Sequence, residues 1–314
     1  MRGLNRTNVV WNFFRTTVEQ WLEEGPFQLA AALAYYTLFS LAPLLIIFTG
    51  IVGMFAGETK AEAYIFGAVA DLVGEQSAKA VQEMMLNAHR NGGGLFATLV
   101  GVALMLFGAG GVVGQLQSSL NAIWGVKTQT RRGLWPIIRA RFLSYAMLLA
   151  IGFLLLVSLI VTTVLSAVSE YFSHLLPAAA SLWPFLDVAI SFGFVTVLFA
   201  LIYKVLPDAH IAWKDVWVGA ALTAFFFSVG KVVIGYYLGK SAVAASYGAA
   251  GSLVTVLLWV YYSALIFFFG AEVTRVYATQ FGGGLQPTQI AETTKDGREK
   301  EREIEKSAAP AAQR

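Results

Sequence analysis

The sequence predicts an all-α, polytopic membrane protein of six transmembrane helices, with amphipathic helices added at the N-terminus and in one outer loop. Three observations carry this prediction. Of 314 residues, 57% are hydrophobic and only 13% charged, about half the charged share of an ordinary soluble domain. The apolar residues gather in runs of about 20, enough for a helix to cross a 30 Å hydrocarbon core, and the short alternating segments of a membrane barrel do not appear. Lysines and arginines, finally, fall very unevenly between the connections.

The elements follow in chain order. Residues 1–26 are polar and mixed in charge, so no cleavable signal peptide is expected. Val10, Phe13, Phe14, Val18, Trp21 and Leu22 recur at helical spacing, which reads as an amphipathic helix lying at the membrane interface, and Gly25-Pro26 then breaks it. A membrane domain over 27–280 holds spans at about 29–56, 95–116, 142–166, 185–206, 216–238 and 250–277. The first and last exceed the minimum length, so tilt or interfacial extension is expected. Residues 57–94 form a long outer connection with Ile65, Val69, Leu72 and Val73, then Val81, Met84 and Met85, at helical spacing. The tail over 281–314 turns to Gly, Ala, Glu, Lys and Arg and is expected to be disordered.

Orientation follows from the basic residues. Seventeen of the 22 lysines and arginines fall in the N-terminal segment, the 117–141 and 204–215 connections and the C-terminal segment, against four on the opposite side. Both termini are therefore expected in the cytoplasm, and the span-embedded Lys231 belongs to neither group.

The first span carries an anomaly for a helix that would only anchor. In AAALAYYTLFSLAPLL, Gln28, Tyr35, Tyr36, Ser40 and Pro43 share one broad face at 100° per residue. Polar groups in hydrocarbon are costly, so the face should look inward, at a cavity or at close-packed helices. The end of the second span adds a row of amides and hydroxyls, Gln115, Gln117, Ser118, Ser119 and Asn121, after Gly101, Gly108, Gly111 and Gly114. With Glu272 from the last span, these suit the wall of an inward-opening vestibule, whereas the glycines also suit simple packing. Arg275 follows Glu272 at i+3, a spacing for a helix-surface ion pair. Asp187 and Lys231 reach similar depth on neighbouring spans and form a candidate intramembrane pair, with a snorkelling lysine as the plainer reading. Arg131, Arg132, Arg139 and Arg141 form a basic juxtamembrane cluster that suits anionic lipid head groups, beyond its role in topology.

Enzymatic chemistry finds no footing. His89, His174 and His210 belong to different segments, there is no cysteine, and neither HExxH nor a carboxylate cluster with metal spacing occurs. No GxSxG, P-loop or GxGxxG pattern is present. The expectation is no catalytic set, no metal, no cofactor and no nucleic-acid partner, with membrane lipids and a lipid or small-solute substrate as partners.

Together, the first-span segment, GGVVGQLQSSLNAIWGV, LPDAHIAWKDVWVGA and SYGAAGSLVTVLLWVYYSALIFFFGAE resemble the YihY/BrkB family of bacterial inner-membrane proteins, over roughly residues 8–280. By similarity, Tyr35, Tyr36, Ser40 and Pro43 match the family's first-span signature, and Gly248, Gly251, Gly270 and Glu272 its last-span signature. The resemblance implies an inner-membrane protein linked to the envelope, and transport of an envelope lipid, glycolipid precursor or small solute. It supplies no catalytic residues; an old ribonuclease label on the family is regarded as a misassignment. A non-transporting scaffold for envelope assembly is the competing expectation.

Overall fold

The computed structural model describes residues 6–40, 110–128, 183–240, 251–282, 286–287, 291–293 and 298–304, with isolated positions between 57 and 82. The described chain is mostly helical. Helix α1 covers Arg6–Glu23. It ends at Gly25, whose φ of 66° suits the left-handed position past a helix C-terminus. Pro26 opens α2, described over 26–40, where a missing N–H costs nothing. Helix α3 is described over 110–123 and is closed by Gly125 at φ 62°, whose N–H reaches the Ala122 carbonyl at 2.9 Å. Strand β1 (Val126–Thr128) follows, then α4 (Trp183–Val205), β2 (Ala209–His210), α5 (Trp213–Lys240) and α6 (Gly251–Phe281). Beyond α6 lie β3 (Gln286–Pro287), β4 (Ala291–Thr293) and a short helix α7 at 298–304.

Three of these helices are long and apolar enough to cross a membrane: Val188–Val205, Trp213–Ile234 and Leu253–Phe281. They coincide with the last three spans expected from the sequence. The expected span at 142–166, most of the first two, and most of the outer connection lie outside the described residues.

The tail differs from expectation in its described pieces. Strand β4 pairs antiparallel with β1, Lys127 opposite Glu292, and β3 pairs with β2, His210 opposite Gln286. In α7, Ile304 is fully buried. Composition marked the tail as polar, but two short edge pairings and one buried aliphatic side chain are enough to attach those pieces.

Two compact units divide the chain. One comprises Met1–Glu24, Gln117–Phe226 and Phe268–Arg314; the other Gly25–Leu116 and Phe227–Phe267. The first holds the largest fully buried side chains, among them Trp124, Tyr203, Phe268 and Ile123, and with them two charged residues, Arg275 and Glu272.

Candidate functional site

The site of the first unit grows from a helix contact that only small residues permit. On α5, Gly219 and Thr223 are one turn apart; on α6, Gly270 and Thr274 are one turn apart. A Cβ at Gly219 would fall onto Thr274 Oγ1, and a Cβ at Gly270 onto Thr223 Oγ1. Each glycine of one helix thus receives the threonine of the other, in antiparallel register. Both hydroxyls are satisfied inside their own helices: Thr223 donates to the Gly219 carbonyl at 2.6 Å and Thr274 to the Gly270 carbonyl at 2.9 Å. Thr223 has then used its only proton, so the Tyr203 hydroxyl of α4, 3.0 Å away, is the donor between those two. Polar side chains here bind helices together without leaving groups unpaired.

In the same turn of α6 sit Glu272, between Gly270 and Thr274, and Arg275, next to Thr274, both without solvent exposure. The sequence placed this pair on a helix surface. The end of α3 covers it instead: Ile123 and Trp124 are fully buried, Trp124 Nε1 donates to the Ala271 carbonyl at 3.4 Å, and Arg275 Nη1 donates to the Ile123 carbonyl at 2.6 Å. Arg275 Nη1 also reaches Glu24 Oε1 at 3.3 Å, at the end of α1, and Lys300 Nζ of α7 donates to that same oxygen at 2.8 Å. Glu272 stays 3.8 Å from Arg275 Nη1. Both of its carboxylate oxygens, and Nε and Nη2 of Arg275, are buried without a hydrogen-bond partner. Such groups are rare in native interiors, because an unmade bond to a buried polar atom costs about 1–3 kcal/mol, and more for a charged one. The cluster therefore has unused capacity for a small polar group: three N–H donors and two carboxylate oxygens.

A second lock lies in the same unit. Asn121 of α3 donates to Asp208 Oδ2 at 2.8 Å and accepts from the Asp208 backbone N–H at 2.9 Å. Gln117, one turn earlier, reaches the same carboxylate at 3.4 and 3.5 Å. Lys204 donates to the Ile211 carbonyl and lies 5.8 Å over the Trp213 ring, which fastens the α4–α5 connection.

The remaining expected site residues divide. In the second unit, Tyr36 packs on Gly111, where a Cβ would come within 2.6 Å of the ring. Ser40 is buried, but its hydroxyl donates to the Thr37 carbonyl at 3.0 Å, and Thr37 donates to the Leu33 carbonyl at 2.8 Å. Gln28 and Tyr35 are exposed, Tyr35 lying 4.8 Å from Phe39 between ring centroids. Gln115 is half-buried. Lys231 is exposed beside a shallow recess formed with Phe227, Gly230, Trp259 and Tyr262. The Asp187 side chain, Pro43, Gly248, Arg131, Arg132, Arg139 and Arg141 lie outside the described residues. Among the described residues, no three His, Asp or Glu side chains gather as a metal site.

Glu24, Lys300, Asp208, Tyr203 and the Ile123 carbonyl escaped the sequence reading. A signal for part of the site was present: GAALT at 219–223 and GAEVT at 270–274 repeat one small-residue pattern on two spans.

Comparison with known proteins gives the chain its place. The model of the family described as virulence factor BrkB matches residues 17–293. A UPF0761 membrane protein of Pseudoalteromonas atlantica is 29% identical over 279 residues, covering 86% of this chain and 87% of its own length. Another from Haemophilus influenzae is 29% identical over 256 residues, covering 78% of this chain and 87% of its own length. A third, from Teredinibacter turnerae, is 27% identical over 275 residues and 86% of this chain, which spans 61% of that relative's length. No solved structure matches. The chain belongs to the YihY/BrkB family of membrane proteins.

Proposed function

We propose that the protein is a transporter or flippase of the bacterial inner membrane, with six spans and both termini in the cytoplasm. Its cargo would be an envelope lipid, a glycolipid precursor or a small solute, moved without enzymatic chemistry. One observation carries the reading: Glu272 and Arg275, on a helix long and apolar enough to cross a membrane, are fully buried and keep hydrogen-bonding groups unused. Ionisable groups within membrane segments are expensive and by default mark a pathway. A purely architectural ion pair would be expected to satisfy those groups.

The test is reconstitution of the full chain in liposomes with a panel of fluorescent lipids and radiolabelled solutes, beside Glu272→Gln. Movement above empty vesicles for one member, reduced in Glu272→Gln, supports transport. No movement for any member argues against it.

A specific observation favours the scaffold reading. On α2, Tyr36 is seated on Gly111, and the Thr37 and Ser40 hydroxyls bond within their own helix. Tyr36 and Ser40 thus behave as packing residues, so the case for transport rests on the Glu272 cluster and not on them.

A further inference from the structure

Helix α1 is turned inside out for a helix that would separate protein from water. The side facing its own unit carries Thr17, 0% exposed, and Gln20, 4% exposed, with Glu24 just beyond its end on the same side. Its large apolar residues point away: Val10 is 66% exposed, Trp11 65%, Leu22 51% and Phe14 48%. Of the six apolar residues that the sequence grouped on one side, Val10, Phe14 and Leu22 are exposed, whereas Phe13, Val18 and Trp21 are half-buried, Phe13 lying 6.5 Å from Tyr277 and 6.0 Å from Phe281 between ring centroids. At 100° per residue the outward apolar residues span roughly 120° of the circumference. The adjoining arc holds Arg15, Glu19, Asn12 and Glu23, all exposed, with Arg15 Nε bonded to Glu19 Oε1 at 2.7 Å. The helix has three sides: one against the protein, one apolar, one charged.

We propose that the Val10, Trp11, Phe14 and Leu22 side of α1 docks in the lipid bilayer interface, with the Arg15–Glu19 side in water. Two observations identify lipid as the occupant. First, α1 packs on residues of a membrane-crossing helix: Trp21 and Phe14 lie 5.6 and 6.2 Å from Phe269 between ring centroids, and Phe13 meets Tyr277 and Phe281, all within the Leu253–Phe281 stretch. The apolar face therefore runs on from a helix long and apolar enough to cross the membrane. Second, the division into an apolar arc bearing an indole and a neighbouring charged arc is that of helices lying in the interface plane. This surface does not depend on transport, and it stands if the protein moves nothing.

The chain has no cysteine, so single nitroxide labels can be placed on the full-length protein without background. Val10→Cys, Phe14→Cys, Asn12→Cys and Glu19→Cys each alter an exposed position. Each labelled protein is reconstituted in phosphatidylethanolamine–phosphatidylglycerol vesicles, and collisions with oxygen, enriched in lipid, are compared with those of a water-soluble nickel chelate. The expected result is a positive logarithm of the oxygen-to-nickel ratio at Val10 and Phe14 and a negative one at Asn12 and Glu19. A negative value at all four positions places the whole outer face in water and overturns the proposal. Exclusion of both reagents at Val10 and Phe14, with dipolar broadening between labels, identifies a second copy of the chain as the occupant and overturns it equally. Thr17→Cys, at a position with no exposure and therefore excluded from both reagents in a correctly packed protein, controls for misfolding.

Discussion

Arg275 Nη1 donates to the Ile123 carbonyl at 2.6 Å, while the carboxylate of Glu272, one turn before it on the same helix, stays 3.8 Å away. The guanidinium is thus aimed at the end of α3 and at Glu24, and Glu272 is held by proximity alone. This asymmetry fixes an order of mutational effects. Removing Arg275 strands a buried Glu272, breaks the contact with α3 and leaves Glu24 with Lys300. Breaking a buried ion pair from one side costs about 3–5 kcal/mol. Glu272→Gln removes a charge that faces Arg275 without a hydrogen bond, while keeping its shape. Thermal unfolding in detergent should therefore show Arg275→Met destabilised by about 3–5 kcal/mol and Glu272→Gln by less than about 1 kcal/mol. Equal losses for the two would mean that Glu272 is the principal partner of Arg275.

Two glycines of α3, one turn apart, make an internal control for the Tyr36 contact. A Cβ at Gly111 would sit 2.6 Å from the Tyr36 ring, whereas at Gly114 nothing lies within 4 Å. Alanine in an open helical position gains about 0.5–1 kcal/mol over glycine. Overpacking a filled contact costs about 1–3 kcal/mol. Gly114→Ala should raise the midpoint of unfolding and Gly111→Ala should lower it. If both raise it, Tyr36 moves aside freely and its face is not a packing surface.

The membrane class and the last three spans were legible because burial in lipid imposes a long, local, one-dimensional signal on a helix. Gly25-Pro26 was legible for the same reason, since a chain break needs only its own residues. The Glu272–Arg275 spacing was visible too, but its burial was not. The cover comes from Ile123 and Trp124, about 150 residues away in the chain, and no periodicity reports which span end closes over which. Glu24 and Lys300, separated by 276 residues, meet only in the folded chain. The apolar stripe of α1 was legible too, but not that Phe13, Val18 and Trp21 are half-buried within it while Val10, Phe14 and Leu22 are exposed. Hydrophobic periodicity finds an apolar stripe, but it cannot tell whether protein or lipid receives it.

The Asp208 lock separates a short bond from two long ones. Asn121 holds the carboxylate at 2.8 Å and returns its own carbonyl to the Asp208 N–H, whereas Gln117 stands at 3.4 and 3.5 Å, near the limit of a useful hydrogen bond. Asn121→Ala leaves a buried backbone N–H and a carboxylate short of partners, at a cost of about 1–3 kcal/mol. Gln117→Ala should cost less than about 1 kcal/mol by the same measure. Hydrogen exchange at the Asp208 amide gives an independent reading: it should quicken in Asn121→Ala and stay unchanged in Gln117→Ala. Quickening in both would show that the amide row works as one unit, as a vestibule wall would.

The reciprocal glycine–threonine contact between α5 and α6 predicts coupling, not merely destabilisation. A methyl group at Gly219 falls onto Thr274 Oγ1, and it also lies 2.7 Å from the Gly270 carbonyl oxygen and 2.9 Å from Thr274 Cβ. Thr274→Ala removes only the first of these obstacles. Gly219→Ala alone should cost about 1–3 kcal/mol. Adding Thr274→Ala should recover part of that loss, because the backbone approach stays too close for a full rescue. The double-mutant cycle should accordingly show a favourable coupling of about 0.5 kcal/mol or more. Gly193→Ala on α4, with no atom within 4 Å of the new methyl, serves as the uncoupled comparison. If the Gly219 and Thr274 substitutions prove additive, α5 and α6 part without resistance at this level. The close approach that carries Glu272 and Arg275 into the core would then need another cause.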